Sequence, residues 1–578
     1  MRTPAILLAA ALAPALPACG RRDPSPAAPP ARPLFIDATA ACGLDFVHYN
    51  GATGEYYLPE IMGAGCAVLD HDGDGDLDVY AVQGALLGAG KTLDDSLFPP
   101  RDRPPRNRLF RNRLVDSGAG GGRLEFADVT EASGTGDPGY GMGCAAGDYD
   151  NDGRPDLYVT NFGPNVLYHN EGGGVFRDAT AGAGVAAGGF SASAAFLDCD
   201  RDGDLDLFVT AYVEYSLAAN RDCFRLGGLR DYCGPLSYQP APDRLYRNQG
   251  DGTFRDATAE AGIHDRQGCG LGVVGDDFNA DGWIDIFVAN DATPNQLWIN
   301  RGDGTFADTA LLAGAAVNAA GRNEASMGIT AGDYDRDGDL DVFITHDTGE
   351  TNTLYRQVAP GFFEDATAAA QLGYPSLPFT GFGTGWFDYD HDGWLDLFAA
   401  NGSVRKLPGL LGQAFPYAQS HQLFHNREGR FVETSSAAGP AVTAASVGRG
   451  AAFGDLDNDG DIDIVLANNS GPLRVLLNQA GGSHHWLRLR LEGTRSNRDA
   501  YGARVAVRLP DGAVLRGRVA ADGSYLSSND KRVHFGLGGA ARVESVTVHW
   551  PSGLVERWEG LPVDAETALR EGQGTPVE

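Results

Sequence analysis

Seven short runs of aspartate carry the clearest chemistry in this sequence. The nine-residue pattern D-x-[DN]-x-D-G-x-x-D recurs at 70–78, 148–156, 198–206, 277–285, 333–341, 388–396 and 455–463. In such a loop the side chains at positions 1, 3, 5 and 9 and the carbonyl of position 7 converge on one cation, and glycine at position 6 permits the sharp turn. The candidate ligands are Asp70, Asp72, Asp74, Asp76 and Asp78 in loop one, and Asp148, Asp150, Asp152, Arg154 and Asp156 in loop two. Loop three offers Asp198, Asp200, Asp202, Asp204 and Asp206; loop four offers Asp277, Asn279, Asp281, Trp283 and Asp285. Loop five offers Asp333, Asp335, Asp337, Asp339 and Asp341; loop six Asp388, Asp390, Asp392, Trp394 and Asp396; loop seven Asp455, Asp457, Asp459, Asp461 and Asp463. Position 7 acts through its carbonyl, so Arg154, Trp283 and Trp394 are admissible there. An irregular shell of hard oxygens suits Ca²⁺ better than Mg²⁺, and the absence of His or Cys at ligand spacing argues against zinc or copper. Cys199, at position 2 of loop three, lies outside the ligand set. The plainer alternative is a set of solvated Asp-Gly turns, which seven copies in register disfavour. Nothing in the loops neutralises the gathered carboxylates, so up to seven structural Ca²⁺ are expected. Loop four, with Asn279 at position 3, is expected to bind most weakly.

The elements that hold these loops repeat with them. Each loop follows a glycine-bearing apolar stretch, such as 141–148 or 448–455, and precedes a β-type run such as Val79-Tyr-Ala-Val or Ile286-Phe-Val-Ala. Then come N-x-L-[YFW]-x-N, as at Asn107–Asn112 and Asn165–Asn170, and F-x-[DE]-x-[TS], as at Phe126 and Phe176. Short runs separated by Gly, Asn and Asp turns are antiparallel strands, four per unit. Seven four-stranded units make a seven-bladed β-propeller in an all-β protein. The seventh unit lacks its F-x-D-x-T element, and Phe35-Ile-Asp-Ala-Thr39 supplies one at the other end of the array. An open solenoid needs capping repeats; two complementary fragments of one unit favour a closed ring over 34–480.

Composition narrows the function. The net charge is −32, and a chain this acidic repels nucleic acid. The loops hold 31 of the 77 acidic residues, so much of that charge is metal-site chemistry. An apolar run, Ala5 to Leu16, reads as a signal peptide over 1–18, too short to span a bilayer. Leu16-Pro-Ala-Cys19-Gly resembles a bacterial lipoprotein cleavage box, with Cys19 the lipidated residue. Ordinary cleavage after Ala18 is the alternative. Residues 19–33 read as a tether, so any membrane contact runs through a lipid anchor. The expected location is the outer membrane as a lipoprotein, or the periplasm or medium. Export permits disulfides. Cys223 and Cys233, in a segment that interrupts the repeat, are read as one bridge, leaving Cys42, Cys66, Cys144, Cys199 and Cys269 as an odd set.

The blade pattern resembles FG-GAP/VCBS repeats. The C-terminal stretch, with His484-His-Trp486, Ser496-Asn-Arg498, Gly502-Ala-Arg504, Ser524-Tyr-Leu-Ser-Ser-Asn529, His534-Phe-Gly-Leu-Gly538 and Val548-His-Trp-Pro-Ser-Gly553, resembles the ASPIC/UnbV domain. Together they resemble the cartilage acidic protein-like family, which implies a secreted, calcium-binding, non-enzymatic protein. From its residues alone, 484–572 reads as a small β-sandwich: Leu487, Leu489 and Leu491 alternate with Arg488 and Arg490, and Pro510-Asp-Gly512 is a hairpin turn. The polar clusters Ser496-Asn-Arg498 and Ser527-Ser-Asn-Asp530 are either ligand contacts or turn caps.

No catalytic constellation stands out: there is no G-x-S-x-G, H-E-x-x-H, P-loop or C-x-x-C. His484 and His485 are adjacent on a strand and point to opposite faces, so they do not share an ion. Five residues past each loop stand Gln83, Asn161, Ala211, Asn290, His346, Asn401 and Asn468, six of them polar. They form either a ligand-binding ring or a set of turn-closing residues. The leading function is an exported, calcium-stabilised binder of a protein or glycan partner in the cell envelope. The alternatives are a polysaccharide-active enzyme using the channel mouth and a periplasmic assembly factor.

Overall fold

Each aspartate loop joins the first and second strands of a four-stranded antiparallel sheet. The computed structural model describes residues 32–116, 122–225, 227–265 and 267–577; the leader, Cys19 and most of the tether lie outside them. Blade two shows the plan: Gly141–Gly147, Asp156–Asn161, Val166–Asn170 and Phe176–Asp178 pair in chain order. Seven such sheets are present. In the seventh, Gly448–Gly454, Asp463–Asn468 and Arg474–Asn478 are completed by Phe35–Asp37, with Phe35 opposite Asn478. The ring closes through the N-terminal strand, as the split repeat indicated. Buried aromatic and aliphatic side chains of neighbouring blades form the core between sheets; one such cluster joins Ala67, Tyr80 and Leu109 of blade one to Leu157 and Val159 of blade two.

The C-terminal module has a three-stranded sheet, with His485–Glu492 between Val533–Gly538 and Glu566–Arg570, and a five-stranded sheet of Val514–Arg518, Arg504–Arg508, Ser545–His549, Val555–Trp558 and Thr575–Pro576. Their inner faces meet through Leu487, Leu489, Val505, Val507, Phe535 and Val546. The module therefore runs past the expected limit of 572, because Thr575–Pro576 adds an edge strand beside Val555–Trp558.

The module and the propeller form one compact unit. The first strand of every blade lines a central channel, and the segment Gly523–Ser528 enters it. Gly523 and Ser524 bond to Val273 and Ile329 in blades four and five, and the Ser524 hydroxyl links blades six and seven through Thr384 N–H and the Ala451 carbonyl. Leu526 bonds to the Ser193 hydroxyl of blade three and to Cys144 N–H of blade two; Ser528 exchanges two main-chain bonds with Cys66 and Val68 of blade one. One short segment thus touches all seven blades. The glycines before each loop make room for it: a Cβ at Gly143 would stand 2.9 Å from Leu526, and one at Gly450 would stand 2.4 Å from the Ser527 hydroxyl.

Candidate metal centres

The aspartate loops all open on the face that the C-terminal module covers. Outside loop five, position 1 organises the turn. Asp148 accepts the N–H groups of Asp152 (3.0 Å) and Gly153 (2.7 Å), and Asp277 accepts those of Asp281 and Gly282 (2.9 Å each). The turn needs two left-handed residues. Gly153 at position 6 has φ +90°, and Asn151 at position 4 has φ +61°. The second was hidden in the sequence, because position 4 also holds Arg201, Ala280, Arg336 and His391.

Position 9 is tied at both oxygens. Asp156 accepts N–H bonds from Tyr149 (3.2 Å) at position 2 and from Asn170 (2.7 Å) at the end of the third strand. The second bond comes from a main-chain N–H; the closing Asn of N-x-L-[YFW]-x-N is explained by its side-chain amide, which reaches further. Asn170 Nδ2 donates to the His71 carbonyl of blade one, Asn248 to Tyr149 of blade two and Asn300 to Cys199 of blade three. Gln357, Asn426 and Asn478 repeat the contact to Phe278, Tyr334 and Tyr389, and Asn112 closes the circle on Leu456 of blade seven. Every blade is stitched to the one before it by this single residue.

Orphaned buried oxygens test whether a cation fits. Oδ1 of Asp72, Asp198, Asp200, Asp390 and Asp457, and both carboxylate oxygens of Asp333, are buried without a hydrogen-bond partner. Asp333 is 7% exposed, and the orphans fall only on positions 1 and 3 among the loop carboxylates. The ligand oxygens of Asp70, Asp72 and Asp74, and of Asp148, Asp150 and Asp156, lie within 4.8 Å of one another. Burial, reinforced by neighbouring carboxylates, pushes Asp148 up to about 8 and Asp341 to about 9. Buried, crowded and unpartnered carboxylates are the environment that a hard dication relieves, so these residues fit Ca²⁺.

The expectation that nothing in the loops neutralises the carboxylates is corrected: Arg154 pairs with Asp152 inside loop two and His71 with Asp78 inside loop one, and further cations come from the third strand. The third-strand residue before the closing Asn points back into the ligand set. Arg111 meets Asp72 (2.7 Å) and Asp74 (2.9 Å); Arg247 meets Asp200 (3.2 Å) and Asp206 (2.9 Å). His169 Nδ1 lies 3.3 Å from Asp150 and Asp156, His425 Nδ1 lies 3.2 Å from Asp396, and Arg356 stands 3.9 Å from Asp335. Blades four and seven have Ile299 and Leu477 there. Loop four is also the loop with Asn279, one carboxylate fewer, so carboxylate count alone does not rank it. Loop seven instead receives Arg488 of the C-terminal module, which pairs with Asp455.

That pair belongs to a wider clamp. Arg504 and Arg518 hold Asp276 beside loop four, Arg516 lies 3.6 Å from Asp333, and Asp499 accepts the N–H of Asp148 (2.8 Å). The Arg498 N–H donates to Asn151 (2.7 Å), and the rings of His534 and His391 lie 4.9 Å apart. A cavity of about 560 Å³ remains between the module and loops four to six. His484 and His485 diverge, to the Asp390 carbonyl and to Asp564.

The polar ring at the other end of the second strands is turned into the fold. Asn161, Asn290, Asn401 and Asn468 are buried, and their amides donate to the carbonyls of Pro164, Pro294, Ser420 and Pro472 in the turns that follow. Gln83 donates to Val47, His346 is buried beside Glu324, and Ala211 has no polar group to offer. The two C-terminal polar clusters are likewise engaged: Asn497 caps the turn at Tyr501, and Ser527-Ser528 lies in the channel. Long loops roof this opposite mouth. In one of them Cys223 and Cys233 form a disulfide; Cys42, Cys66, Cys144, Cys199 and Cys269 are buried thiols.

The description "ASPIC and UnbV" matches residues 493–576, and "FG-GAP-like repeat" matches 148–209, 277–344 and 333–399. Human cartilage acidic protein 1 is 30% identical over 322 residues, 54% of this chain and 45% of that protein. The Xenopus tropicalis protein is 30% identical over 279 residues, 47% of this chain and 40% of that protein. The chain thus spans less than half the length of the curated relatives it matches. Among solved structures, the BP39L lectin from Burkholderia pseudomallei superposes with a TM-score of 0.42 at 11% identity, covering 73% of this chain and 97% of that one. By its repeats, its C-terminal module and these relatives, the chain is a homologue of cartilage acidic protein 1 in which an FG-GAP-like propeller is joined to an ASPIC and UnbV domain.

Proposed function

We propose that this is an exported, calcium-stabilised binding protein of the cell envelope, non-enzymatic, which presents the propeller face opposite the C-terminal module to a protein or glycan partner. The observation that carries this reading is the filled channel. With Gly523–Ser528 bonded to all seven first strands, the mouth on the loop face is occupied by the protein itself. A polysaccharide-active site at that mouth loses its space, and the opposite face, roofed by long loops, is left for recognition. Export is supported by the Cys223–Cys233 bridge in one of those loops, and lipid attachment at Cys19 would hold the protein at a membrane. Calcium would be held by the carboxylates at positions 1, 3 and 5, with position 9 already anchored by the fold. It supplies charge neutralisation and cross-linking, and it stabilises the folded state by mass action.

The test is unbiased: calcium-loaded protein is incubated with a glycan array and an envelope extract, and retained or cleaved material is identified. Retention without cleavage supports the reading; turnover of a polysaccharide overturns it.

A further inference from the structure

At position 4 of two loops an asparagine ties three parts of the molecule together. Asn151 of loop two donates to the Gly203 carbonyl (3.0 Å) and to Asp204 (2.7 Å), positions 6 and 7 of loop three, and its Oδ1 accepts the Arg498 N–H of the C-terminal module. Asn458 of loop seven donates to Asp76 (3.0 Å), position 7 of loop one, and accepts from the module's Arg488 (3.0 Å). Each joint links one blade, the next blade and the module by hydrogen bonds. Where blades six and seven meet, the same place holds His391, the one histidine at position 4. Its main chain is fixed by a left-handed φ of +59° and by the module's Gly538 N–H, which donates to the His391 carbonyl at 2.7 Å.

The side chains at this third joint are not bonded to one another. His391 is 1% exposed, and both of its ring nitrogens lack a hydrogen-bond partner among the described residues. Its Nε2 faces Oδ1 of the buried Asp461, position 7 of loop seven, across 3.4 Å without closing a hydrogen bond. The His534 ring of the module lies 4.9 Å from the His391 ring, and its Nε2 is also buried without a partner. The Gly460 carbonyl lies near both rings. Buried imidazole nitrogens left without partners are costly, and each deserves an explanation. Two ligand atoms held at about 2.1 Å by one tetrahedral Zn²⁺ stand about 3.4 Å apart, which is the separation of His391 Nε2 and Asp461 Oδ1. Imidazole nitrogens beside a carboxylate suit a borderline first-row dication, whereas Ca²⁺ takes oxygen ligands. Arg488, whose charge reaches His534, is already paired with Asp455 and Glu566.

We propose that His391 of blade six, Asp461 of blade seven and His534 of the C-terminal module bind one first-row transition dication of the zinc class, with the Gly460 carbonyl as the adjacent fourth donor. The site is separate from the seven aspartate loops. Position 7 reaches Ca²⁺ through its carbonyl, so the Asp461 carboxylate is free for a second ion. The ligands stand at 391, 461 and 534, on three parts of the fold, so no local spacing in the sequence announces them. The metal does at this joint what Asn151 and Asn458 do at theirs: it pins the module to two neighbouring blades. The site goes beyond partner binding at the opposite face and does not depend on it.

The experiment uses the full chain, stripped of metal and then held in excess Ca²⁺ so that the aspartate loops are saturated. Zn²⁺ is titrated by calorimetry and counted by elemental analysis, and Co²⁺ serves as a visible probe. One Zn²⁺ per chain is expected to bind in the Ca²⁺ excess and to raise the melting temperature, and Co²⁺ should show the absorption bands of a tetrahedral, nitrogen-ligated ion. His391→Asn and, separately, His534→Gln should each weaken Zn²⁺ at least about tenfold and leave the number of bound Ca²⁺ unchanged. His391→Asn puts at this joint the residue that closes the other two, so its fold is expected to hold; the wild-type titration and the Co²⁺ spectrum test the site without any variant. No Zn²⁺ binding in excess Ca²⁺, or an affinity indifferent to both substitutions, overturns the assignment. Competitive displacement of Zn²⁺ by Ca²⁺ puts the ion in the aspartate loops and overturns it as well. So does a stability gain from His391→Asn with no Zn²⁺ response in the wild type, which makes His391 a plain stand-in for the bridging asparagine. None of these outcomes bears on retention of an envelope partner, so this site and the binding role stand or fall separately.

Discussion

The two ends of the channel are closed by opposite physical means. On the loop face, clustered carboxylates meet arginines from a second domain, and the closure is an ionic clamp around an inserted segment. On the other face, loops of blades one, three and six roof the mouth with buried tyrosines and acids: Tyr232 donates to Glu60 (3.0 Å), Tyr417 to Asp231 (2.9 Å), and Lys406 N–H to Asp231 (2.8 Å). The first closure depends on charge balance and hence on cations. The second depends on desolvation and hence on proton occupancy. The contrast teaches that clustered acids can be held by charge balance at one mouth and by burial at the other.

Chelation should break the loop face first and give the largest effect. EDTA is expected to lower the melting temperature strongly, and Ca²⁺ should restore it better than Mg²⁺ at equal concentration. At a free concentration about a hundredfold above Kd, each site contributes about 2.7 kcal/mol. A melting temperature indifferent to chelation, with no calcium by elemental analysis, would sink the metal assignment. The next largest effect is Arg488→Leu, which leaves Asp455 buried without its partner at a cost of about 3–5 kcal/mol. Because Arg488 is the arginine that pairs with loop seven, that loss should shrink when Ca²⁺ is present. A loss independent of calcium would separate the clamp from the metal.

The other face should respond to pH. Burial raises Glu60 to about 7 from an ordinary 4.5. Between those values the folded chain holds a proton that the unfolded chain has released. Stability from this group is therefore highest below about 4.5 and falls as pH rises through about 7. Glu60→Gln should raise the unfolding free energy at pH about 8 relative to wild type, by on the order of 2–3 kcal/mol, and change it little at pH about 5. An equal gain at both values would show that packing, not ionisation, is at stake. Smallest is the paired change Asn161→Ala and Asn290→Ala, which removes turn-closing hydrogen bonds at about 1 kcal/mol each. Reduced partner binding without loss of stability would restore the ligand-ring reading.

The blades were legible because seven copies repeat every signal, and even the strand borrowed from residues 35–37 announced itself as a missing fragment. What escaped was whatever acts between copies. The closing Asn was visible as a letter of the motif, but its partner is a carbonyl in the preceding blade, about a hundred residues earlier in the case of Asn170 and His71. Arg111 and Arg247 occupied a position that looks variable until the third strand is folded against the loop. Ser524-Tyr-Leu-Ser-Ser528 reads as a polar turn. Only the channel, which no local pattern encodes, makes it a plug.

That plug has a consequence for the order of events in the life of the chain. It pairs Ser528 with Cys66, and the ring itself closes by pairing Phe35 with Asn478. Both contacts join segments more than four hundred residues apart, the most expensive kind to form early, because loop-closure entropy must be overcome before they reward it. A chain emerging in sequence can assemble individual blades, but it cannot close the circle or fill its centre until nearly all of it has been made. Until then the first strands border an unfilled space lined by Met142, Leu271, Met327 and Phe382. The nascent protein therefore passes through a long interval as a half-built, adhesive object, and crossing a membrane before that interval ends would let maturation finish on the far side.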